Sequence, residues 1–215
     1  MTPSKGDFLK AIVKLGGSER RVNNKELAQE LGISSAAVTD MALKLMEDGY
    51  IDYIPYKGIA ITESGQRETN KLIRKHRLWE VFLKEKLNYD WNQVHADADL
   101  LEHASSDFLI ERLDEFLGNP TKDPHGEWIP DAAGNIEASS FVSLDQIEVG
   151  QTFTIKEVSD SRAFLDHLVQ QNIQLHDSYQ LVEIEEYEGA LVLKNKAGIK
   201  KISPYTASQI KVQLD

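Results

Sequence analysis

Three short stretches with helical periodicity, separated by glycines, constrain the fold of the first fifty residues. The first, Asp7–Leu15, places apolar side chains on one helical face and stops at two glycines, where a helix ends at little cost. The second, Lys25–Leu31, is followed by one glycine, and the third begins where Ser34 or Ser35 can cap it. Short helices joined by a glycine turn form the helix-turn-helix pattern.

The next segment, residues 49–62, alternates apolar and polar residues around Tyr56, Lys57 and Gly58, which predicts a two-stranded wing. The module is therefore a winged helix, and its third helix would enter the major groove of DNA. That helix offers small and hydroxyl-bearing side chains but no arginine, which favours modest direct readout of bases. The predicted DNA contacts are Ser34, Ser35, Ala36, Ala37, Thr39, Asp40, Lys44 and Lys57. A role as a protein-interaction module stays an alternative.

The charge is distributed unevenly along the 215 residues, whose net charge is −11. Residues 1–75 carry 12 Lys and Arg against 10 Asp and Glu, whereas residues 76–215 carry 12 against 25. A slightly basic first part can still present a basic face to phosphates, while an acidic remainder attracts cations.

The composition excludes several classes of protein. The absence of cysteine excludes disulfides, thiolate metal sites and thiol catalysis. The chain has no apolar run near the roughly 18 residues of a membrane span, and its start lacks the layout of a signal peptide. We therefore expect a cytoplasmic protein without a membrane partner.

The middle of the chain carries ligand pairs at helical spacing. Asp99, Glu102 and His103 stand at i, i+3 and i+4 of a helix predicted from Asn92 to Leu117. His95 lies one turn earlier on that helix. Carboxylates and imidazoles without thiols suit Mn²⁺ or Fe²⁺. A solvated charged face stays the alternative for any one of these residues.

The preceding helix, predicted from Glu63 to about Asn88, carries His76 and Glu80 one turn apart. Packed against the next helix, it could bring both residues into the same metal site. Beyond the helices, Asp123 and His125 flank a proline whose extended backbone could present both to one ion, although a surface turn is the alternative.

The last seventy residues predict several short strands with tight turns around one short helix from Arg162 to Gln171, which implies a small barrel. Asp160 precedes that helix, and on spacing alone it is interpreted as the N-cap. Apolar positions on the middle helices exceed what the helices can bury themselves and predict a dimer interface. These positions are Leu100, Leu101, Phe108, Leu109 and Leu113.

Several segments together resemble the diphtheria-toxin-repressor family, in particular the three-domain manganese- or iron-dependent repressors of streptococci. The resemblance rests on the Asp-Phe-Leu start at Asp7, the Leu-Gly-Ile-Ser-Ser-Ala-Ala-Val-Thr reading helix, His-Arg-Leu-Trp-Glu at residues 76–80, residues 94–103, Asp-Pro-His-Gly at residues 123–126 and the terminal barrel. It implies a mainly α fold with small β parts. The expected domains are a winged helix over residues 1–72, a helical metal-binding and dimerisation domain with its linker over 73–140, and an SH3-like barrel over 141–215.

The resemblance also implies a homodimeric repressor that binds operators of metal-uptake genes when Mn²⁺ or Fe²⁺ is bound. Because affinity follows the Irving–Williams order, we expect that Zn²⁺ can bind in vitro. The activating site would consist of Asp7, His76, Asp99, Glu102 and His103. A second site would consist of Glu80, Asp123, His125 and Asp160. His95 matches a ligand that only some members use.

Two positions depart from the family pattern. Lys10 stands where bimetal manganese regulators have a glutamate, which favours one ion in the activating site. Asp123 stands where close relatives often have cysteine, which shifts the preference of the second site from Zn²⁺ toward Mn²⁺ or Fe²⁺. Two other functions stay open: a metalloenzyme, although the chain lacks a His-Glu-x-x-His motif and a nucleophile elbow, and a winged-helix regulator with an organic effector.

Overall fold

A computed structural model describes residues 4–137 and 139–215, which form two compact units. The first unit extends to Lys75 and includes Pro130–Ile136, and the second comprises His76–Ile129 and Glu137–Asp215. The helices are α1 (Lys5–Lys14), α2 (Asn24–Leu31), α3 (Ser35–Glu47), α4 (Glu63–Leu87), α5 (Val94–Ala104), α6 (Asp107–Leu117), α7 (Arg162–Gln170) and α8 (Pro204–Ala207). The strands are β1 (Ile51–Ile54), β2 (Gly58–Ile61), β3 (Val142–Ser143), β4 (Thr152–Val158), β5 (Ser178–Ile184), β6 (Leu191–Asn195), β7 (Gly198–Ile202) and β8 (Ile210–Leu214).

Side-chain caps define where the first three helices begin. Ser4 and Asp7 form a reciprocal capping box at α1, and Asn23 and Glu26 form another at α2. Ser34, rather than its neighbour, caps α3 by accepting a hydrogen bond from the backbone N–H of residue 37. The residue after α2 is a glycine in the left-handed conformation, as the sequence predicts.

The first unit is a winged helix, which confirms the predicted fold of this part. Its core consists of fully buried apolar residues from all three helices and from the wing, including Phe8, Leu27, Val38 and Ile59. Strands β1 and β2 pair antiparallel, and their turn leaves the side chain of Tyr56 fully exposed. The apolar side of α3 therefore packs in this core, while its side of small residues is exposed to solvent.

The prediction of a single helix from Asn92 to Leu117 is wrong, because the structure has two helices, α5 and α6, in that range. Ser106 caps α6 by accepting a hydrogen bond from the backbone N–H of Leu109. The hydroxyl of Ser105 donates to the Leu101 carbonyl and accepts from the Trp79 indole. Consecutive serines compete with the helical backbone for hydrogen bonds and so end one helix and start the next.

The exposure of apolar residues on these helices agrees only partly with the dimer interface predicted from the sequence. Leu100 of α5 and Phe108, Leu109 and Phe116 of α6 are exposed, so the chain by itself leaves four large apolar side chains of these helices in water. Leu113, in contrast, is buried in the core that Leu78 and Ile110 form and cannot serve an interface.

The C-terminal part of the second unit is an SH3-like sheet of six antiparallel strands in the order β3-β8-β4-β5-β6-β7. The sequence does not predict strand β3, because a strand of two residues is too short to show an alternating pattern. The core of the sheet contains Phe153, Tyr179 and Leu193 among other buried residues. The pairing of β4 with β8 shifts register between Ile155 and Glu157, so that the intervening lysine is bulged.

The helical and sheet parts of the second unit contact each other directly. Trp91, just before α5, packs against the sheet core, and Asn92 donates a hydrogen bond of 2.7 Å to Asp166 of α7. The carbonyl of His125 accepts a hydrogen bond from the backbone N–H of Val158 in β4.

Among the described residues, no helix is long and apolar enough to cross a membrane.

The turn that carries His125 depends on a glycine. Gly126 has a φ of +87°, and a Cβ there would lie 1.9 Å from the carbonyl oxygen of the bulged Lys156. Gly118 has a similar φ of +81°, but a Cβ there would contact nothing within 4 Å. We expect Gly118→Ala to cost about 1 kcal/mol of unfolding free energy, from backbone conformation alone. Gly126→Ala should cost more than ~3 kcal/mol because backbone atoms must also move.

Denaturant unfolding of the metal-free protein measures both effects. Equal losses from the two substitutions would show that the close approach of residue 126 to β4 is not a constraint.

Candidate metal centres

Helix α4 presents two buried candidate ligands on one face. His76 and Glu80 lie one turn apart, and the side chains are 7% and 1% exposed. The Nε2 atom of His76 lies 3.1 Å from Oε1 of Glu80. Charged or polar groups are rarely buried in this way unless they are paired or bind an ion, so this face is a candidate centre.

Helix α5 contributes further candidate ligands from the facing side. Glu102 is buried, and its two oxygens contact different histidines: Oε2 lies 2.6 Å from Nδ1 of His76, and Oε1 lies 3.2 Å from Nε2 of His103. Asp99 joins His76 and Glu102 in a group whose ligand atoms lie within 4.8 Å of one another. The spacing that the sequence indicates on this helix thus produces a cluster within the second unit. We call Asp99, Glu102 and His103 the α5 cluster.

His76 contacts both candidate sites rather than one. Its Nδ1 faces Glu102, whereas its Nε2 lies near Glu80 and 3.0 Å from Nδ1 of His95. His76, Glu80 and His95 form a second group with ligand atoms within 4.8 Å of one another. The family resemblance implies that His76 belongs to the activating site. The structure places the same ring in contact with Glu80 as well, which the spacing within one helix could not show relative to α5.

The proline-containing segment forms a buried turn, so the extended backbone and the surface turn considered from the sequence are both wrong. Oδ1 of Asp123 accepts hydrogen bonds from the backbone N–H groups of His125 and Glu127, at 2.8 and 2.9 Å. This Asx-type turn points Asp123 and His125 inward, where both are buried. Glu80, Asp123 and His125 form a third group with ligand atoms within 4.8 Å of one another.

His125 has the arrangement of a metal ligand. Its Nε2 lies 2.9 Å from the carbonyl of Trp91, to which it donates, and this contact fixes the orientation of the ring. Its Nδ1 is buried without a hydrogen-bond partner, 3.6 Å from Oε2 of Glu80. A buried nitrogen without a partner costs free energy, and a divalent ion would satisfy it. The residues present therefore fit a metal ion at this position.

The protonation of the third group follows from its charges. Burial lowers the pKa of His125, but the Glu80 and Asp123 carboxylates outweigh burial and raise it to about 9. Burial alone would raise the pKa of Glu80, yet the three surrounding histidines, His125, His76 and His95, hold it well below its usual value. At neutral pH the metal-free His125 is therefore doubly protonated, and a bound ion would have to displace the proton on Nδ1, the nitrogen that faces Glu80.

Arg77 is a residue of this centre that the sequence reasoning missed. Its Nε lies 3.3 Å from Oδ2 of Asp123, and its guanidinium also pairs with Glu127 at 2.6 Å. Burial raises the pKa of Asp123 to about 7, although Arg77 acts in the opposite direction. The residue adjoins His76 in the chain, but its partners follow almost fifty residues later, so local spacing gave no signal.

Asp160 is not the N-cap of α7, because Ser161 occupies that position. Its Oδ2 lies 3.9 Å from Nδ1 of His95, and its side chain is about half exposed. The structure thus groups three of the four residues predicted for the second site and places Asp160 beside His95. Its role as a ligand stays a prediction.

The remaining predicted site residues belong to the first unit. Asp7 lies in the first turn of α1, where Oδ2 accepts a hydrogen bond of 2.7 Å from the backbone N–H of Ser4. On α3, the hydroxyl of Thr39 donates to the Ser35 carbonyl and accepts from the Asn24 amide, so it already has partners. The other predicted DNA contacts are exposed: Ser34, Ser35, Ala36, Ala37, Asp40, Lys44 and Lys57.

Comparisons with known proteins match these features. Residues 1–59 match a family model described as the iron dependent repressor, N-terminal DNA binding domain, and residues 62–131 match one described as its metal binding and dimerisation domain. An uncharacterised HTH-type transcriptional regulator of Methanocaldococcus jannaschii is 41% identical over 118 residues, which are 54% of this chain and 94% of that protein.

Two solved structures are similar over nearly the whole chain. The manganese regulator SloR is 32% identical, with a TM-score of 0.84 and full coverage of both chains. A manganese-dependent transcriptional repressor in complex with manganese is 31% identical, with a TM-score of 0.88, and the match covers 99% of this chain and 100% of that one.

Removing Arg77 tests whether it compensates the buried carboxylate of Asp123. In the presence of a chelator, Arg77→Leu should lower the unfolding free energy by about 3 kcal/mol at about pH 8, because a buried charge loses its partner. The loss should shrink at about pH 5, where Asp123 is protonated and needs no cation. Arg67→Leu, which breaks an exposed pair with Glu63, is the matched control and should cost at most ~0.5 kcal/mol.

Urea unfolding at both pH values measures these differences. A loss from Arg77→Leu that is independent of pH would assign the residue a packing role instead.

Proposed function

Because this chain belongs to the iron-dependent repressor family, we propose that it is a metal-dependent transcriptional repressor that binds duplex operator DNA when Mn²⁺ or Fe²⁺ is bound. The observation that carries the proposal is a winged helix in the same chain as buried clusters of histidine and carboxylate. A DNA-reading module alone would fit many effectors, but these clusters specify a divalent cation.

The chemistry of the ligands supports the choice of metal. Both candidate sites combine imidazole nitrogen with carboxylate oxygen, and the chain has no thiolate to favour a softer ion. Zn²⁺ would also bind in vitro, because affinity of such sites follows the Irving–Williams order. Availability of the metal in the cell then selects Mn²⁺ or Fe²⁺.

We assign the activating site to Asp7, His76, Asp99, Glu102 and His103. Without a metal, the clustered carboxylates disfavour their own approach, and a bound divalent ion supplies the compensating positive charge. Asp7, from the unit that carries the reading helix, would link the metal state to DNA binding. The coupling needed is about 1–3 kcal/mol, which corresponds to roughly 5- to 150-fold in affinity.

The exposed apolar residues of α5 and α6 support a homodimer. Leu100, Phe108, Leu109 and Phe116 are large and exposed in the single chain, and the matching family model describes a dimerisation domain. A twofold dimer would place two reading helices on two operator half-sites. We propose that the operators control metal-uptake genes and that the protein acts in the cytoplasm in metal homeostasis.

The winged helix, the candidate metal centres and the sheet also divide the chain into three domains. We propose a DNA-binding domain over residues 1–72, a metal-binding and dimerisation domain with its linker over 73–140, and an SH3-like domain over 141–215. The known relatives in the comparisons are transcriptional regulators, which argues against the metalloenzyme alternative. A non-metal effector would leave DNA affinity unchanged by metal, and the following experiment distinguishes it.

We expect DNA binding to require metal through Asp7. In a mobility-shift assay with genomic fragments at fixed salt, Mn²⁺ should strengthen binding to a few fragments at least ~10-fold over chelator. Asp7→Ala should abolish this gain while the protein stays a folded dimer. Since Asp7 also caps α1, Ser4→Ala is the matched control: it breaks the same capping box but keeps the carboxylate, and it should respond to Mn²⁺.

Equal DNA affinity with Mn²⁺ and with chelator would contradict the proposal and indicate that the effector is not a metal. A normal metal response in Asp7→Ala would retain the repressor but remove Asp7 from its mechanism.

The reading helix can be tested separately from the metal. Ala36→Glu places a negative charge on the exposed face of α3 and should weaken operator binding about 10-fold or more through repulsion of phosphates, with unchanged Mn²⁺ uptake. Ala132→Glu makes the same substitution at an exposed position outside the helix and should change binding little. Fluorescence anisotropy with a labelled operator measures both, and equal affinities of the two variants would place the DNA-binding face elsewhere.

A further inference from the structure

Strand β7 forms an open edge of the six-stranded sheet. It comes last in the strand order, and in the described part of the chain β6 is the one strand that is hydrogen-bonded to it. The backbone N–H and C=O groups on the outer side of β7 therefore have no strand to pair with in that part of the chain. An edge strand of this kind can accept a further strand.

The form of β7 distinguishes it from the opposite edge. Proteins usually protect an edge strand by making it very short, by a bulge or by a proline. Strand β3, at the opposite edge, has two residues. Strand β7, in contrast, has five residues without a proline, and it pairs with β6 in continuous register from Gly198 to Ile202. The backbone of β7 is therefore regular enough to pair with another strand.

Lysine is concentrated around this edge. Residues 189–214 contain five lysines and no aspartate or glutamate, although residues 76–215 as a whole carry 12 Lys and Arg against 25 Asp and Glu. Four of the five lysines lie in β6, in β7 or in the turn between them: Lys194, Lys196, Lys200 and Lys201. The edge is thus a basic surface on an acidic part of the chain.

Most of these lysines keep their charge uncompensated. Lys201 forms an ion pair with Glu185, and Glu183 and Glu188 are near enough to interact with its charge. The ammonium of Lys200 donates to a neutral group, the backbone carbonyl of residue 171. Lys194 and Lys196 are exposed, and neither has a carboxylate partner among the described residues. The positive charge is therefore greatest at the turn between β6 and β7.

From these observations we propose that the β7 edge binds an extended acidic peptide segment of a partner protein, which adds to the sheet as a seventh strand. The backbone of the peptide pairs with the outer side of β7, and its carboxylates compensate the lysines. The proposal goes beyond the function in DNA binding and does not depend on it.

The alternation of side chains along β7 specifies the pattern of the peptide. Ile199 is opposite Lys194 of β6 and shares a face with Lys201, because every second residue of a strand points to the same side. The side chain of Ile199 is 65% exposed. A peptide strand beside β7 therefore matches this face with an apolar residue next to Ile199 and acidic residues two positions before and after it.

Two other occupants fit the surface less well. The β7 edge of a second copy of this chain would bring its own lysines against these lysines, and like charges on neighbouring strands are destabilising. A nucleic acid would contact the ammonium groups through its phosphates, but it would use neither the backbone groups of β7 nor the side chain of Ile199.

The probe for the test is a synthetic peptide, acetyl-Thr-Glu-Thr-Val-Thr-Glu-Thr-amide, added to the full-length protein. We expect it to slow amide hydrogen exchange in residues 198–202, because amides on the outer side of β7 gain acceptors. A fluorescent version should bind saturably in an anisotropy titration. Two control peptides should bind much more weakly: one with lysine in place of glutamate, and one with every backbone amide N-methylated, which keeps the charges but cannot donate hydrogen bonds.

A matched pair of charge reversals tests the position of the site. Lys194→Glu should weaken binding of the peptide at least ~5-fold, because attraction becomes repulsion beside the edge. Lys84→Glu makes the same change at an exposed lysine of α4 in the same unit and should alter binding little. Both lysines are exposed, so we expect both variants to fold, and circular dichroism checks this.

The possible results are distinct. Slower exchange in β7 that requires both the glutamates of the peptide and Lys194 supports the proposal. Equal binding of the N-methylated peptide would show that charge alone attracts it and would overturn strand addition. Absence of any slowing in β7 would also overturn the proposal: tight binding of an oligothymidylate that is lost in Lys194→Glu would then assign the lysines to nucleic acid, and no binding would leave them the role of preventing self-association. None of these measurements involves a metal or an operator, so their failure leaves the proposed repressor function intact.

Discussion

The burial of carboxylates in the second unit is the constraint on which its structure depends. Glu80, Glu102 and Asp123 are each almost inaccessible to solvent, and a buried carboxylate is strongly unfavourable unless it is paired. Each therefore has its own partners: histidines for Glu80 and Glu102, and backbone N–H groups with Arg77 for Asp123. The contacts between these carboxylates and their partners hold α4, α5 and the turn at Asp123 together.

This constraint also explains why the SH3-like sheet joins the helices in one unit. The turn that carries His125 is held on one side by Glu80 of α4 and on the other by β4, whose Val158 donates to the His125 carbonyl. Gly126 allows this close approach because it has no side chain to collide with the bulged residue of β4. The sheet is thus more than an appended domain, since it supports the backbone of a candidate metal ligand.

The sequence predicts well whatever depends on neighbours within one helix. Spacing alone identifies His76 with Glu80 and Asp99 with Glu102 and His103, because residues three and four apart share a helical face. It fails where the partner is distant in the chain. Arg77 meets Glu127 only after folding, and nothing local shows that His76 faces two clusters. The break at Ser105 was missed because serine can either continue or end a helix, and here its contacts with Trp79 and with the Leu101 carbonyl end it.

The same distant contacts connect the two candidate centres. A continuous path runs from His103 through Glu102 and His76 to Glu80, and each step is a contact of 3.2 Å or less between polar atoms. Because His76 uses both of its nitrogens in this path, a charge placed beside Glu102 changes the electrostatic environment of Glu80 through a single ring. If both clusters bind ions, a preference of one site for a given orientation or protonation of His76 would alter the affinity of the other site by the same factor. Glu102, His76 and Glu80 therefore form one buried polar network that joins the α5 cluster to the group around Glu80.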